Sequence, residues 1–163
     1  MIPKTPVTYS DVFAALDQVK APYVVVSGTA VVLHGHVRPV YDLDIVISQT
    51  PPEQMAALQA VMSAGFFPSI SVPLNLLSVV RMFDQEAREV DVFRQYHLSF
   101  KELWEDSVEI SVGETVARVA SFENVIKAKR IVGRPHDLED VAGLLKLAND
   151  NRPMSKVRTP ISL

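Results

Sequence analysis

No cysteine occurs anywhere in the chain. That absence excludes disulfides, cysteine-ligated zinc fingers, iron–sulfur clusters and thiol nucleophiles, and nothing in the composition indicates an oxidising compartment. Long apolar runs are missing as well, so no membrane-spanning segment is predicted, and the first residues lack the apolar core of a signal peptide. A cytoplasmic location without membrane contact is therefore the expectation.

An excess of positive charge is also absent, because 16 Lys and Arg face 19 Asp and Glu and give a formal net charge of -3. General attraction to a nucleic-acid backbone is thereby excluded, and any such contact requires a local basic patch. The remaining composition, 48% hydrophobic and 21% charged, is ordinary for a globular protein. Its 163 residues predict a single domain over 1–149, followed by a flexible C-terminal tail over 150–163.

Capping residues, glycines and apolar spacing predict helices and strands in an irregular order. Gly28 is expected to separate the first strand from a short helix, and Gly113 to open a type II′ hairpin turn. Together the elements predict an α/β (α+β) fold, a mixed β-sheet flanked by helices with a C-terminal helical pair. Helices are expected between Thr8 and Pro22, over 30–33, from a Thr50 capping box to Gly65, over 121–132 and up to Asn149; strands over 23–26, 41–47, 66–72, 76–83, 88–93, 108–112 and 115–119.

The first candidate for chemistry is the pair Asp42 and Asp44, which lie two residues apart in an otherwise apolar strand. Alternate residues of a strand share a face, so the two carboxylates are expected close together, where like charges repel. A magnesium or manganese ion removes that repulsion and prefers carboxylate oxygens. The alternative is a solvated strand end. A calcium loop of the EF-hand kind is disfavoured, because residues 45–47 continue the strand.

The second candidate is the segment Ser27, Gly28 and Thr29, which lies between a buried strand and the start of a helix. Free backbone N–H groups at a helix start bind anions, and a glycine allows close approach of a phosphate. The hydroxyls of Ser27 and Thr29 are further candidate donors. An ordinary turn with a capped helix is the alternative interpretation.

Several further segments accompany these two candidates along the chain. The full set is Val26-Ser27-Gly28-Thr29-Ala30, His34-Gly35-His36-Val37-Arg38, Asp42-Leu43-Asp44-Ile45, Lys129, Gly133-Arg134-Pro135, Asp137-Leu138 and Asp140-Val141. Taken together, these segments resemble the nucleotidyltransferase superfamily, and in particular minimal bacterial nucleotidyltransferases of the AbiEii toxin type. The resemblance covers residues 23 to 147, and Ser27 stands where relatives often have the first glycine.

In this superfamily a third carboxylate comes from a neighbouring strand, and the resemblance implies Asp91 in that role, within Glu89-Val90-Asp91-Val92-Phe93. Asp91 would then complete a metal site with Asp42 and Asp44, hold a second ion or accept a proton from the acceptor. Glu89, on the same strand face, is the fallback. The alternative is that Asp91 is a surface residue.

Lys129 lies on the packed side of its predicted helix, and an inward ammonium requires an anion. A triphosphate and a salt bridge to Asp137 or Asp140 are both open. Arg38 is a candidate partner for a phosphate. His34 and His36 are expected near the mouth of the pocket, and not as a transition-metal site.

The resemblance implies a magnesium- or manganese-dependent enzyme that transfers a nucleoside monophosphate from a nucleoside triphosphate to a hydroxyl, with release of pyrophosphate. The catalytic and metal-binding residues would be Asp42, Asp44 and Asp91. The acceptor, which can be a tRNA, a protein or a small molecule, is left open, and a cognate antitoxin is a possible partner. The alternatives are a catalytically silent nucleotide-binding or toxin–antitoxin module and a metal-dependent phosphohydrolase. The predicted nucleotide-binding residues are Ser27, Gly28, Thr29, Arg38 and Lys129.

Overall fold

The computed structural model describes residues 2–151. The tail predicted over 150–163 therefore lies outside the described residues, apart from Asp150 and Asn151. Asp150 is the last residue of the C-terminal helix, which continues one residue beyond its expected end at Asn149. Within residues 2–151, no helix combines the length and the apolar character needed to cross a bilayer.

Helices and strands follow one another irregularly along the chain, as expected. Short 3-10 turns cover Pro6–Tyr9 and Leu74–Leu76. The elements are α1 Ser10–Gln18, β1 Tyr23–Val26, α2 Ser27–Leu33, β2 Asp42–Ile47, α3 Pro51–Ser63, β3 Phe67–Pro68, β4 Val79–Phe83, β5 Glu89–Phe93, α4 Phe100–Asp106, β6 Val108–Val112, β7 Thr115–Val119, α5 Phe122–Val132 and α6 Pro135–Asp150.

The seven strands of residues 2–151 form one mixed sheet in the order β3-β4-β5-β2-β1-β7-β6. The central strand β2 pairs antiparallel with β1 and parallel with β5. Both predicted hairpins form, one between β4 and β5 and one between β6 and β7. The sheet is flanked by helices, and the pair α5 and α6 comes last among the elements of residues 2–151, which confirms the predicted fold class.

The core lies between the central strands and the helices. Every residue of β1 is buried, and Leu43, Ile45 and Ile47 of β2 are completely so. Each such aliphatic side chain contributes about 1.5–3 kcal/mol on burial. The apolar face of β2 therefore fixes the strand, and its alternation leaves Asp42 and Asp44 on the opposite face.

Local signals in the sequence explain several element ends. The Ser121 hydroxyl accepts a hydrogen bond from the Asn124 backbone N–H at 3.0 Å and caps α5. At the other end of α5, Gly133 has φ +69, the left-handed conformation in which glycine commonly ends a helix. Gly113 has φ +61 in the turn between β6 and β7, which is why a glycine is needed there.

Four local predictions were wrong. The strand expected over 76–83 begins at Val79, after the 3-10 turn Leu74–Leu76. Gly28 does not separate β1 from a helix, because α2 begins one residue earlier, at Ser27. Thr50 does not cap the α3 backbone; its hydroxyl donates instead to Glu53 Oε1 at 2.9 Å. The strand expected over 66–72 contains only Phe67–Pro68, which pair with β4 at the edge of the sheet.

Helix α4, Phe100–Asp106, was not predicted from the sequence. A signal was present, since Ser99 and Glu102 have the spacing of a helix start, and the Ser99 hydroxyl accepts from the Glu102 N–H at 3.1 Å. Helix α4 places Trp104 beside Phe100 and under the Arg118 guanidinium. These contacts give Trp104 a packing role near the sheet edge.

Candidate active site

Strand register brings the three predicted aspartates together. Asp44 of β2 pairs with Asp91 of the parallel neighbour β5, and Asp42 precedes Asp44 on the same face. One carboxylate oxygen from each of the three residues lies within 4.8 Å of the other two. The alternative prediction, that Asp91 is a surface residue, is wrong because Asp91 is buried.

The acid cluster, defined as Asp42, Asp44 and Asp91, disfavours full ionisation. Burial and then the charges of Asp42 and Asp91 raise the pKa of Asp44 well above its usual range, while the nearby Ser27 hydroxyl acts in the opposite direction. Burial and the charge of Asp91 also raise the pKa of Asp42. In the adjoining Glu89, burial and interaction with Asp91 raise the pKa to about 7. A cation is the simplest way to relieve this repulsion.

The residues of the acid cluster fit a hard divalent cation. All three offer carboxylate oxygens, the ligand type that magnesium and manganese prefer. Asp44 Oδ1 is buried and has no hydrogen-bond partner among residues 2–151. A buried carboxylate oxygen without a partner is costly unless a ligand satisfies it, so this atom supports a metal site.

A cavity of about 110 Å³ adjoins the acid cluster at Asp44. Two of the predicted nucleotide-binding residues, Ser27 and Lys129, line it together with aromatic and basic side chains that the sequence analysis did not assign to the site. The full lining consists of Ser27, Asp44, Phe93, Tyr96, His97, Ala128, Lys129, Val132, Arg134 and Asp137.

Lys129 and Arg38 make ion pairs with the acids of α6. Lys129 is 5% exposed, and its ammonium lies 3.0 Å from both an Asp137 and an Asp140 oxygen. Arg38 holds Asp140 through two hydrogen bonds of 2.8 and 2.9 Å. The salt bridge that was one of two alternatives for Lys129 is therefore present, and Arg38 is engaged by a carboxylate.

Arg134 completes this group, because its Nε donates to Asp137 at 2.8 Å. Burial alone would raise the pKa of Asp137, but hydrogen bonds from Arg134 and Lys129 lower it to about 2. In Asp140 too, Arg38 and Lys129 outweigh burial and lower the pKa. These five residues, named here the ion-pair network, contain three cations and two acids.

The predicted phosphate segment has a different local structure from the one expected. Ser27 has φ +59, the left-handed region that glycine adopts without strain and that a residue with a Cβ rarely adopts. A Cβ on Gly28 would lie 2.8 Å from Arg38 Nη2, so glycine gives the guanidinium space. The buried Thr29 hydroxyl donates to the Asp42 carbonyl at 2.9 Å and thereby ties α2 to β2.

His34 does not lie at the mouth of the pocket, and that expectation was wrong. Its buried ring packs edge-on to Phe122, and Nε2 is 2.7 Å from the Ala120 carbonyl oxygen. Burial lowers the pKa of His34, which favours a neutral core histidine. His36 packs against α6, where a Cβ on Gly143 would come within 2.3 Å of the His36 ring.

Sequence reasoning missed Arg81 and the aromatic wall of the cavity. Arg81 of β4 contacts Asp91 because the two residues are paired in the hairpin. Tyr96 and His97 line the cavity with their rings 4.8 Å apart, and no sequence signal pointed to them. Arg134 had a signal, since it belongs to the Gly-Arg-Pro segment that carries the resemblance.

Comparison with known proteins supports the fold. A nucleotidyltransferase-like protein from Paracoccidioides brasiliensis superposes with a TM-score of 0.63 at 16% identity, covering 90% of this chain and 79% of that one. The lincosamide antibiotic adenylyltransferase LnuA, solved with lincomycin, gives 0.60 at 14% identity, covering 87% and 96%. ANT(2")-Ia, solved with adenylyl-2"-tobramycin, gives 0.60 at 13% identity, covering 89% and 90%.

No protein-family profile matches the chain, and neither does any curated protein. At these low identities the structural likeness shows the fold, which is nucleotidyltransferase-like. Activity has to be argued from the site itself, because one fold hosts many functions. The AbiEii subtype stays a prediction.

Proposed function

We propose that this chain is a metal-dependent nucleotidyltransferase, which moves a nucleoside monophosphate from a nucleoside triphosphate to a hydroxyl acceptor and releases pyrophosphate. One observation carries the proposal: Asp44 of the acid cluster lines the same cavity as Ser27 and Lys129. Carboxylates suited to a divalent cation and an ammonium suited to phosphate thus adjoin one space, as a metal–triphosphate substrate requires. The antibiotic adenylyltransferases of the same fold support this assignment by analogy.

Asp42, Asp44 and Asp91 are the proposed metal ligands. Bound there, magnesium or manganese would neutralise phosphate charge and favour displacement at phosphorus. Ser27 would donate a hydrogen bond to a phosphate oxygen, and Lys129 would contribute positive charge. Because Asp137 and Asp140 already fix the Lys129 ammonium, little reorganisation is needed when an anion binds.

Gly28, Thr29 and Arg38 would support the site by different means. Thr29 fixes the Asp42 carbonyl and hence the first metal ligand, while Gly28 leaves room for Arg38. Direct contact of Arg38 with phosphate would require it to share or release Asp140. Nucleotide contacts of all three residues remain predictions.

The reaction is tested with labelled nucleoside triphosphates and magnesium or manganese, supplied with total RNA and protein. Nucleotidyl transfer would place an α-phosphate label on an acceptor and release a γ-phosphate label as pyrophosphate. Mass spectrometry then identifies the modified molecule. A phosphohydrolase would release inorganic phosphate and leave no labelled acceptor. Nucleotide binding without either product would favour the silent module, and the acceptor and any antitoxin would then have to be sought by another route.

Substrate binding is tested separately by calorimetric titration of a metal–triphosphate complex. Lys129→Ala is expected to weaken binding, while Lys127→Ala serves as the control, since Lys127 is exposed and pairs with Glu102 away from the cavity. Equal and negligible losses would remove Lys129 from nucleotide binding and leave it a purely structural cation.

A further inference from the structure

Arg81 holds the third carboxylate of the acid cluster. It lies directly opposite Asp91 in the β4–β5 hairpin, so both side chains share one face of the sheet. Arg81 Nε is 3.0 Å from Asp91 Oδ1, and Nη2 is 3.2 Å from Oδ2. The same Nε is 3.1 Å from Glu89 Oε2. The Arg81 guanidinium therefore makes a bidentate contact with Asp91 and a further contact with Glu89.

The Arg81 guanidinium is the local counter-ion of the acid cluster and Glu89. Asp42, Asp44 and Asp91 converge, and Glu89 adjoins them opposite Asp42. Within residues 2–151, Arg81 is the one cation that forms a salt bridge with any of these four acids. Lys129 and Arg38 act on Asp42 only at longer range.

The two partners of the contact differ in their access to water. The Asp91 side chain is 6% exposed, whereas the Arg81 side chain is 56% exposed. Arg81 can rotate into solvent, where its charge is well hydrated, but Asp91 has no such alternative. If the contact opens, Arg81 leaves and Asp91 stays at the site.

We propose that Arg81 is an internal counter-ion of Asp91 and Glu89 and competes with the divalent cation for Asp91. The inference rests on the proposed metal site and adds a positioning residue to it. A guanidinium fork and a divalent cation both need the Asp91 oxygens, and their charges repel one another. Metal entry is therefore coupled to loosening of the Arg81–Asp91 contact.

The test is a direct titration of the full chain with manganese at low ionic strength. The electron paramagnetic resonance signal of free Mn²⁺ measures how much of the ion remains unbound. Arg81→Met removes the charge and keeps most of the apolar stem. We expect it to bind manganese about tenfold more tightly than wild type, because a unit charge at this range changes ionic equilibria by about one to three orders of magnitude. The metal-free melting temperature should fall, and the rise on adding manganese should exceed that of wild type.

Two further variants make the result specific. Arg81→Lys keeps the charge but loses the fork, so its manganese affinity is expected to lie between those of wild type and Arg81→Met. Arg118→Met is the matched control, since it removes another strand arginine, which pairs with Glu109 and covers Trp104. Its manganese affinity should equal that of wild type.

Unchanged or weaker manganese binding in Arg81→Met would overturn the counter-ion role and leave the proposed metal site standing. If Arg81→Met does not fold, the same judgement is made on Arg81→Lys. Manganese binding that appears only in the Arg81 variants would support the counter-ion role strongly. If neither wild type nor any variant binds the ion, both the counter-ion role and the metal-dependent function fail.

Discussion

Two charged regions of this molecule contribute side chains to the lining of one cavity and differ in how their charges are balanced. In the acid cluster, three carboxylates converge, Asp44 Oδ1 has no partner in the described chain, and Arg81 is shared with Glu89. In the ion-pair network, Asp137 and Asp140 are each held by two cations within 3.0 Å. The negative charge of the acid cluster is therefore only partly neutralised, whereas that of the acids in the ion-pair network is fully neutralised.

The difference separates two roles that sequence alone presents alike. Removing one partner of a buried ion pair is strongly destabilising, because the remaining charge is left without compensation. Unbalanced acids are held together by the fold against their repulsion, as expected of a binding site that a ligand completes. Under the proposed function, the ion-pair network holds Lys129 in place and the acid cluster binds the metal.

The largest effect is expected from Asp44→Asn, which keeps the shape of the side chain and removes the charge at the centre of the acid cluster. Loss of a metal ligand should reduce nucleotidyl transfer on the order of 1,000-fold. Without metal, the variant should melt at or above the wild-type temperature, because repulsion is relieved. Rates and melting curves with and without magnesium check this.

Asp17→Asn is the matched control for that change, because Asp17 lies at the end of α1, away from the acid cluster. It should retain activity and the metal-induced rise in melting temperature. A full metal response in Asp44→Asn would show that the acid cluster is not the metal site.

The second prediction concerns removal of a cation from the ion-pair network. Lys129→Met removes the cation shared by Asp137 and Asp140, and the free energy of unfolding is expected to fall by about 3 kcal/mol. Lys127→Met, which breaks an exposed pair with Glu102, should cost less than about 1 kcal/mol. Urea denaturation compares the two variants, and similar losses would contradict a structural role for the ion-pair network.

The third prediction uses acid to unbalance the ion-pair network. The pKa of Asp137 is about 2 in the folded protein, below its ordinary value near 3.8, so its stabilisation is present above that ordinary value. Stability should be lost as the pH falls from about 4 to about 2, by about 2 kcal/mol from this group.

Asp137→Asn isolates this contribution from the other carboxyl groups. The difference in unfolding free energy between wild type and variant should shrink over that pH range, as measured by urea denaturation. A difference that does not depend on pH would rule out Asp137 as the titrating group.

The smallest effect concerns Ser27, which joins the two regions because it lines the cavity beside Asp44 and Lys129. Its φ of +59 is strained for a residue with a Cβ. Ser27→Gly and Ser27→Ala both remove the hydroxyl, but only glycine relieves the backbone. The glycine variant should be more stable than the alanine variant by about 1 kcal/mol, measured by thermal unfolding. Equal stabilities would contradict the left-handed conformation.

The β4–β5 hairpin shows how far sequence reasoning reached. Boundaries at 76–83 and 88–93 implied a four-residue loop, which would pair Arg81 with Val90. In the structure Phe83 pairs with Glu89, and Arg81 is opposite Asp91. The loop is one residue longer, and within it Asp84 Oδ1 accepts a hydrogen bond from the Arg88 N–H at 2.8 Å. A shift of one residue decides which side chains share a face.

The sequence by itself determined the features that depend on local periodicity and capping. Alternation placed Asp42 and Asp44 on one face of a strand, and the helical wheel placed Lys129 on the buried side of α5. Ser121 and Gly133 fixed the two ends of that helix. These features need only neighbours a few residues apart.

Only the tertiary structure decided which distant groups meet. Asp91 was implied by resemblance, but the parallel pairing of β2 and β5 set it beside Asp44. The same packing gave Lys129 its carboxylate partners and Asp91 its guanidinium. Such contacts join residues far apart in the chain, and they depend on strand order, register and helix docking, which local patterns do not encode.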